Sequence, residues 1–204
     1  MQLFHYHLVT SKVRQVEARY VGKLGFSLVA RHGRIGEDHQ SFEAGVSWQE
    51  LDELGFKLRL SELERGGVNL VVQPGQWDLP RVDHLGLALD EDEFEDVLAR
   101  AMAQGLRVQA HGGRRTFVAT NTGYRLEIHP PRDWLEELLD AWSDFALGEL
   151  QLLADEPVAK AEALAGLLEL DVVEGSVVDV GSTRVRFVGG GPPGRPQLHG
   201  ELFL

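Results

Sequence analysis

The sequence predicts an α+β protein built from tandem units of one strand, one helix and three further strands. A histidine-bearing apolar stretch, an amphipathic stretch and a glycine follow one another twice, from Phe4 to Gly25 and from Val82 to Gly105. Alternating and helical periodicities separate strands from helices within each copy. A length of 204 residues, with 43% hydrophobic and 25% charged residues, is ordinary for a globular protein.

The first unit is expected over residues 1–80. Residues 3–10 alternate as a strand does, and residues 12–24 carry apolar side chains at helical spacing before Gly25, a typical helix stop. Three further strands are predicted, at 26–32, 56–63 and 68–73.

The first unit carries an insertion that the second lacks. From His5 to Gly67 is 62 positions, whereas from His84 to Gly123 is 39, and the surplus falls at residues 34–55. Loops of this length are often lids or binding elements, so His39, Phe42 and Trp48 could cover a site. A packed surface excursion is the equally weighted alternative.

The second unit is expected over residues 81–132, with strands at 82–89, 106–110, 114–120 and 124–129 and a helix at about 91–104. Residues 133–147 read as a linking helix, predicted from Trp134 to Phe145. Residues 148–204 read as a third, degenerate unit, with single strands at 170–180 and at 199–204. That unit has Gly148 or Glu149 near the place of the opening histidine, so we expect it to be structural.

Composition excludes several function classes. No cysteine is present, so disulfides and thiolate chemistry are excluded and any metal must use histidine, carboxylate or water. The formal charge of −12 argues against a nucleic-acid partner. No apolar run approaches the roughly 20 residues of a membrane helix, and no signal segment is evident, so we expect no membrane partner and a cytoplasmic protein.

The tandem units, each opening on a histidine-bearing strand, with Gly123-Tyr124-Arg125-Leu126-Glu127 near the end of the second, resemble the vicinal oxygen chelate superfamily. This group contains the glyoxalases, the bleomycin-resistance proteins and the extradiol dioxygenases. The match covers about residues 3–130 well and 148–204 weakly. The resemblance implies two βαβββ modules that form one cup-shaped open barrel.

The resemblance also implies the metal ligands. By motif position they are His5, His84 and Glu127, and the fourth family position falls on Val71. The glyoxalase pattern of two histidines and two glutamates is therefore broken, whereas two histidines and one carboxylate match the extradiol dioxygenases and the fosfomycin-resistance thiol transferases of this superfamily. The expected cofactor is a divalent ion: Fe²⁺, Mn²⁺, Zn²⁺ or Ni²⁺. Ordinary buried histidines, repeated by duplication, are the alternative.

Strand alternation supplies further candidates for a catalytic role. His7 shares a face with His5, and Arg125 and His129 share a face with Glu127. His7 could be a hydrogen-bonding partner of the ligands or an acid/base group, Arg125 could neutralise a substrate carboxylate or enolate, and His129 could move a proton.

Three functions remain open from the sequence. The first is a metal-dependent enzyme acting on a small oxygenated substrate, by dioxygenation or by a proton-transfer isomerase or lyase reaction. The second is a metal-free small-molecule binding protein, like the bleomycin-resistance proteins. The third is an oligomerising module with a vestigial cup, for which the third unit could make a homodimer contact.

Overall fold

The computed structural model describes residues 1–111, 115–140 and 145–203. Within them the chain forms five helices and fourteen strands, which follow one another as β1 (Gln2–Thr10), α1 (Val13–Leu24), β2 (Ser27–Ile35), β3 (Asp38–Glu43), α2 (Trp48–Glu53), β4 (Lys57–Arg65), β5 (Val68–Pro74), β6 (Arg81–Ala88), α3 (Glu91–Ala103), β7 (Arg107–His111), β8 (Arg115–Ala119), β9 (Arg125–His129), α4 (Asp133–Asp140), β10 (Leu147–Ala154), α5 (Pro157–Leu168), β11 (Val172–Val173), β12 (Val177–Val180), β13 (Thr183–Gly189) and β14 (Gln197–Phe203).

The described strands form one large open sheet. Its main path runs β11-β12-β13-β10-β14-β6-β1-β5-β4-β2-β3, and β9, β8 and β7 branch from β6 in that order. The described sheet does not close on itself. Because the chain contains both helices and a largely antiparallel sheet, it has a mixed α+β fold, and the predicted fold class is confirmed at that level.

Two kinds of strand pairing recur along the chain. β1 pairs in parallel with β5, β6 with β9, and β10 with β13, each across a crossover that contains a helix. β1 also pairs antiparallel with β6, and β10 with β14. The middle of the sheet is therefore made of strands that are hydrogen-bonded on both sides.

Side-chain alternation divides the sheet into two faces. Tyr6, Leu8 and Leu85 are almost fully buried in the main hydrophobic core, on the face that α1, α3 and α5 cover, which we call the helix-bearing face. His5, His7 and His84 lie on the opposite face, which we call the histidine face.

Local sequence explains where the helices begin and end. Asp90 accepts a hydrogen bond from the backbone of Glu93, and the Glu93 side chain accepts one from the backbone of Asp90, which makes a capping box at the start of α3. Helix α1 ends at Gly25, whose φ of 69° lies in the left-handed region that glycine adopts at little cost.

The part of the insertion that contains Trp48 packs on the helix-bearing face, away from the histidines. Residues 38–43 form edge strand β3, and α2 follows as a short helix. Trp48 Nε1 donates to Glu17 Oε1 at 2.9 Å, and Arg31 makes a forked ion pair with the same buried carboxylate. Ser61 Oγ also donates to Glu17, at 3.0 Å. Glu62, which follows Ser61 in the strand, points to the histidine face. Ser61 and the groups around Glu17 therefore lie on the other side of the sheet.

One predicted strand of the last third differs from the structure. Residues 170–180 are two strands, β11 and β12, because Glu174 and Gly175 take positive φ values of 49° and 76° and turn the chain. Strand β14 lies beside β10 on the side away from β13, so the strand that pairs in parallel with β10 is β13. The linking helix is described over Asp133–Asp140, and residues 141–144 of its predicted span lie outside the described range, as does residue 114, the predicted start of the strand at 114–120.

A search of the described helices finds none with both the length and the apolar character needed to span a membrane.

Candidate metal centre

Three histidines meet on strands β1 and β6. His7 lies directly opposite His84 in the antiparallel pair, and His5 lies opposite Gly86. One ring nitrogen from each of His5, His7 and His84 falls within a cluster whose members all lie within 4.8 Å of one another. The Nε2 atoms of His5 and His84 are 3.1 Å apart.

Strand β9 places a carboxylate beside this cluster. β9 is parallel to β6 and places Glu127 beside Gly86, so His5, Gly86 and Glu127 form one row across three strands. Glu127 Oε2 lies 2.9 Å from His84 Nε2, and Glu127 Oε1 lies 3.0 Å from His129 Nε2. Arg115 approaches the same carboxylate at 3.6 Å.

A glycine is needed in the middle of that row. A Cβ built on Gly86 would lie 2.7 Å from Cβ of His5. That distance is shorter than side chains tolerate, so only glycine lets the imidazole of His5 lie against β6.

Two irregularities in the β1–β6 pairing aim side chains at the cluster. The register shifts between Leu3 and His5, which leaves Phe4 unpaired, and again next to His7, which leaves Asp83 unpaired. Bulges turn a side chain away from strict alternation. Asp83, although adjacent to His84 in sequence, therefore places its Oδ2 atom 3.0 Å from His84 Nδ1.

Hydrogen bonds on the outer ring nitrogens fix the two central imidazoles. Asn69 Oδ1 lies 2.6 Å from His5 Nδ1, and the Asn69 amide nitrogen is committed as a donor to Glu62 and Glu64. The Asn69 oxygen must then accept a hydrogen bond from His5 Nδ1–H, as Asp83 Oδ2 accepts one from His84 Nδ1–H. In a neutral imidazole this leaves the Nε2 lone pair pointing into the cluster.

Burial keeps the histidines of β1 neutral. Loss of hydration, followed by the nearby His84, lowers the pKa of His5 from 6.5 to about 4. The same causes lower the pKa of His7 from 6.5 to about 3. Both are therefore free bases at neutral pH, the form in which histidine binds a metal.

The two carboxyl groups are ionised. Burial alone would raise the pKa of Glu127, but hydrogen bonds with His129 and His84 bring it well below its ordinary value. Burial likewise opposes ionisation of Asp83, and its contacts with His84, Arg125 and Arg81 lower its pKa well below its ordinary value.

This donor set fits a divalent ion. His84 Nε2 lies 3.1 Å from His5 Nε2 and 2.9 Å from a carboxylate oxygen of Glu127, so a divalent ion that displaces the proton shared by these contacts would be offered two imidazole nitrogens and one oxygen. Imidazole and carboxylate donors are those that zinc, nickel, manganese and ferrous iron share in proteins.

The other sequence-derived candidates have different positions. His7 lies inside the cluster rather than beside it. His129 contacts Glu127, while Arg125 bonds the carboxylate of Asp83 and lies over the ring of Phe117, 4.5 Å from its centre. His39 is on exposed edge strand β3 and pairs with Arg34.

Sequence reasoning missed the role of Asp83, because alternation assigns it to the other face. It also missed the wall made by Phe4 and α4. Phe4, Ala88 and Leu135 form a small buried cluster on the histidine face, and the half-exposed ring of Trp134 lies edge-on to His129 at 5.4 Å. An aromatic residue within an apolar strand gives no signal of a bulge.

No protein-family model matches the chain, and no curated protein matches it in sequence. Comparison with solved structures does find similar folds. A variant of 4-hydroxymandelate synthase from Streptomyces coelicolor matches at a TM-score of 0.64 and 14% identity, over 99% of this chain and 70% of that one. The halotolerant catechol dioxygenase BphC matches at 0.61 and 14%, over 99% and 69%. A Mn(II)-bound glyoxalase from Novosphingobium aromaticivorans matches at 0.56 and 14%, over 97% and 63%.

These structures define the class of fold. Extradiol dioxygenases, 4-hydroxymandelate synthase and glyoxalase are members of the vicinal oxygen chelate superfamily. The chain has the fold of that superfamily, as the resemblance in its sequence predicted.

Proposed function

We propose that this protein is a metal-dependent enzyme of the vicinal oxygen chelate type. In this proposal one divalent ion, Fe²⁺, Mn²⁺, Zn²⁺ or Ni²⁺, is held by His5, His84 and Glu127. The observation that carries the proposal is that His84 Nε2 lies 3.1 Å from His5 Nε2 and 2.9 Å from a carboxylate oxygen of Glu127.

The ion would act as a Lewis acid and as a template for a small substrate with two neighbouring oxygen atoms. The chain's own residues prepare the site for it. Asn69 and Asp83 hold the outer nitrogens of the two imidazoles, which fixes their tautomer and the direction of Nε2. Arg81 and Arg125 donate to Asp83 and keep it ionised. Arg125 thereby acts through Asp83.

His129 contacts the proposed ligand Glu127. Its Nε2 atom lies 3.0 Å from Glu127 Oε1, and its Nδ1 atom is buried without a hydrogen-bond partner among the described residues. We assign it to holding the carboxylate and to exchanging a proton at the edge of the site. Phe4, Phe117 and Trp134 border the imidazoles and Glu127 and would exclude water from the substrate.

Two reaction classes fit a site of this kind. Its structural neighbours include enzymes named as dioxygenases and one named as a glyoxalase. Both dioxygenation and a proton-transfer isomerase or lyase reaction are therefore retained.

We further propose that the chain consists of three copies of one βαβββ unit, at 1–80, 81–132 and 148–204, with α4 in the link at 133–147. The recurrence of a helix-containing crossover between parallel strands supports this division. The third copy has no histidine at the position of His5 and serves as a scaffold.

The test is the metal content of tag-free protein, measured by mass spectrometry for the native chain, Glu127→Ala and His39→Ala. We expect close to one ion per chain in the native protein and in His39→Ala, which removes an exposed histidine, and a loss of most of it in Glu127→Ala. Full metal content in Glu127→Ala would disprove the assignment. No metal in any of the three, with ligand binding that a chelator leaves unchanged, would establish the metal-free binding protein instead.

A further inference from the structure

The proposed ligand set of His5, His84 and Glu127 does not include His7. This histidine is buried, and its Nε2 atom has no hydrogen-bond partner among the described residues. Buried polar atoms of this kind are rare because each gives up hydration without a replacement. The position itself does not demand an imidazole, because an apolar side chain would fill the same space without an unpaired nitrogen.

The surroundings of His7 indicate what the nitrogen is for. Its ring lies edge-on to that of His84, with centres 4.6 Å apart, and its ligand nitrogen falls within the same 4.8 Å cluster as those of His5 and His84. Because His7 and His84 are a directly opposed cross-strand pair, the sheet itself sets this separation. The ring is therefore not brought there by a flexible loop.

We propose that His7 is a further ligand of the ion, which gives a set of three imidazole nitrogens and one carboxylate. This inference rests on the proposed function and deepens it. A six-coordinate ion would then keep two positions, enough for the two vicinal oxygens of a chelating substrate and no more. The set favours Lewis-acid chemistry, such as proton transfer within the chelated substrate, over a reaction in which dioxygen must bind beside the substrate.

The number of bound imidazoles is directly measurable. Cu²⁺ is the probe, because it binds nitrogen sites tightly and its electron paramagnetic resonance spectrum is split by each coordinated nitrogen. We expect three nitrogens in the native protein, three in His39→Ala and two in His7→Gln. We also expect His7→Gln to bind Zn²⁺ more weakly by at least the roughly 10–100-fold that loss of an outer hydrogen-bond partner costs.

Two outcomes would overturn the inference: two nitrogens in the native protein, or three in His7→Gln. The native spectrum decides the question even if His7→Gln does not fold. Failure of the proposed function looks different, because Cu²⁺ and Zn²⁺ would then bind Glu127→Ala and His84→Ala as well as they bind the native chain.

Discussion

Two strand pairs in this molecule share one backbone plan and differ in chemistry. In the β1–β6 pair His5 lies opposite Gly86 and His7 opposite His84, and in the β10–β14 pair Glu149 lies opposite Leu202 and Gln151 opposite Gly200. The register shifts fall at equivalent places. The residues that they leave unpaired are Phe4 and Asp83 in one pair and Gly148 and His199 in the other.

The side chains of the second pair satisfy one another. Gln151 Nε2 donates to Glu149 Oε1 at 2.6 Å, and Arg186 on β13 makes two contacts of 3.2 Å with the same carboxylate. Where β1 and β6 gather three imidazoles, Glu149 of β10 forms an ion pair with Arg186 of β13. We therefore infer that the bulged antiparallel pair is a scaffold, and that it would hold a metal only where its side chains offer suitable lone pairs.

The largest expected effect comes from Gly86→Ala, which adds a methyl group beside His5. In Gly86→Ala the new Cβ would lie 2.7 Å from Cβ of His5, an atom fixed to the backbone. We expect a loss of about 1–3 kcal/mol in the free energy of unfolding, as for other overpacked cores, together with weaker metal binding. Urea unfolding and Zn²⁺ titration measure the two effects.

Gly200→Ala is the matched control on β14. There the new Cβ would meet Gln151 at 3.5 Å, an ordinary contact with the far end of a side chain. We expect unchanged metal affinity and a small change in stability. Equal losses in the two variants would show that glycine serves both strands as general backbone and not as space for an imidazole.

A smaller effect is expected from the bulged residue Asp83. Asp83→Asn keeps the shape of the side chain but removes the negative charge of the carboxylate that accepts hydrogen bonds from His84, Arg81 and Arg125. Outer partners of metal-bound histidines are worth roughly 10–100-fold in metal affinity. We expect a loss of this size in Zn²⁺ titrations, with the binding stoichiometry preserved.

His199→Ala changes the equivalent unpaired residue of β14. Because β10 and β14 present no imidazole cluster, metal affinity should stay within twofold of the native value, on the order of the error of such titrations. An Asp83→Asn variant that behaves in the same way would mean that His84 keeps its orientation without the carboxylate.

The two pairs also show what the sequence can and cannot reveal. That His84 lies near both His5 and Glu127 was expected from the superfamily resemblance, and the binding of a metal by these three residues stays a prediction. The positions of Asp83 and Phe4 could not be predicted, since a register shift depends on the partner strand and leaves no mark in the alternation of its own strand. A strand near the position of β14 was predicted, but the strands that pair with it were not. Pairing between segments more than forty residues apart is decided by tertiary packing. The order of most elements followed from periodicity and turn residues, whereas the open sheet was expected from the superfamily resemblance.

The smallest predicted effect concerns the helix-bearing face, where β6 has Leu85 and β14 has Glu201 at the equivalent position. The Glu201 side chain is 1% exposed, and burial raises its pKa above the ordinary 4.5 although Arg19 contacts it at 3.0 Å. Between 4.5 and the raised pKa the folded chain holds a proton that the unfolded chain has lost, so this group stabilises the fold below that window and the contribution falls as pH rises through it. Glu201→Gln should remove that fall. The measurement is the free energy of unfolding of both proteins from pH 4 to pH 8, because the titration of the histidines is common to both and cancels in the difference. The difference should favour the variant increasingly with pH, and a difference independent of pH would mean that Glu201 titrates as an ordinary surface carboxyl.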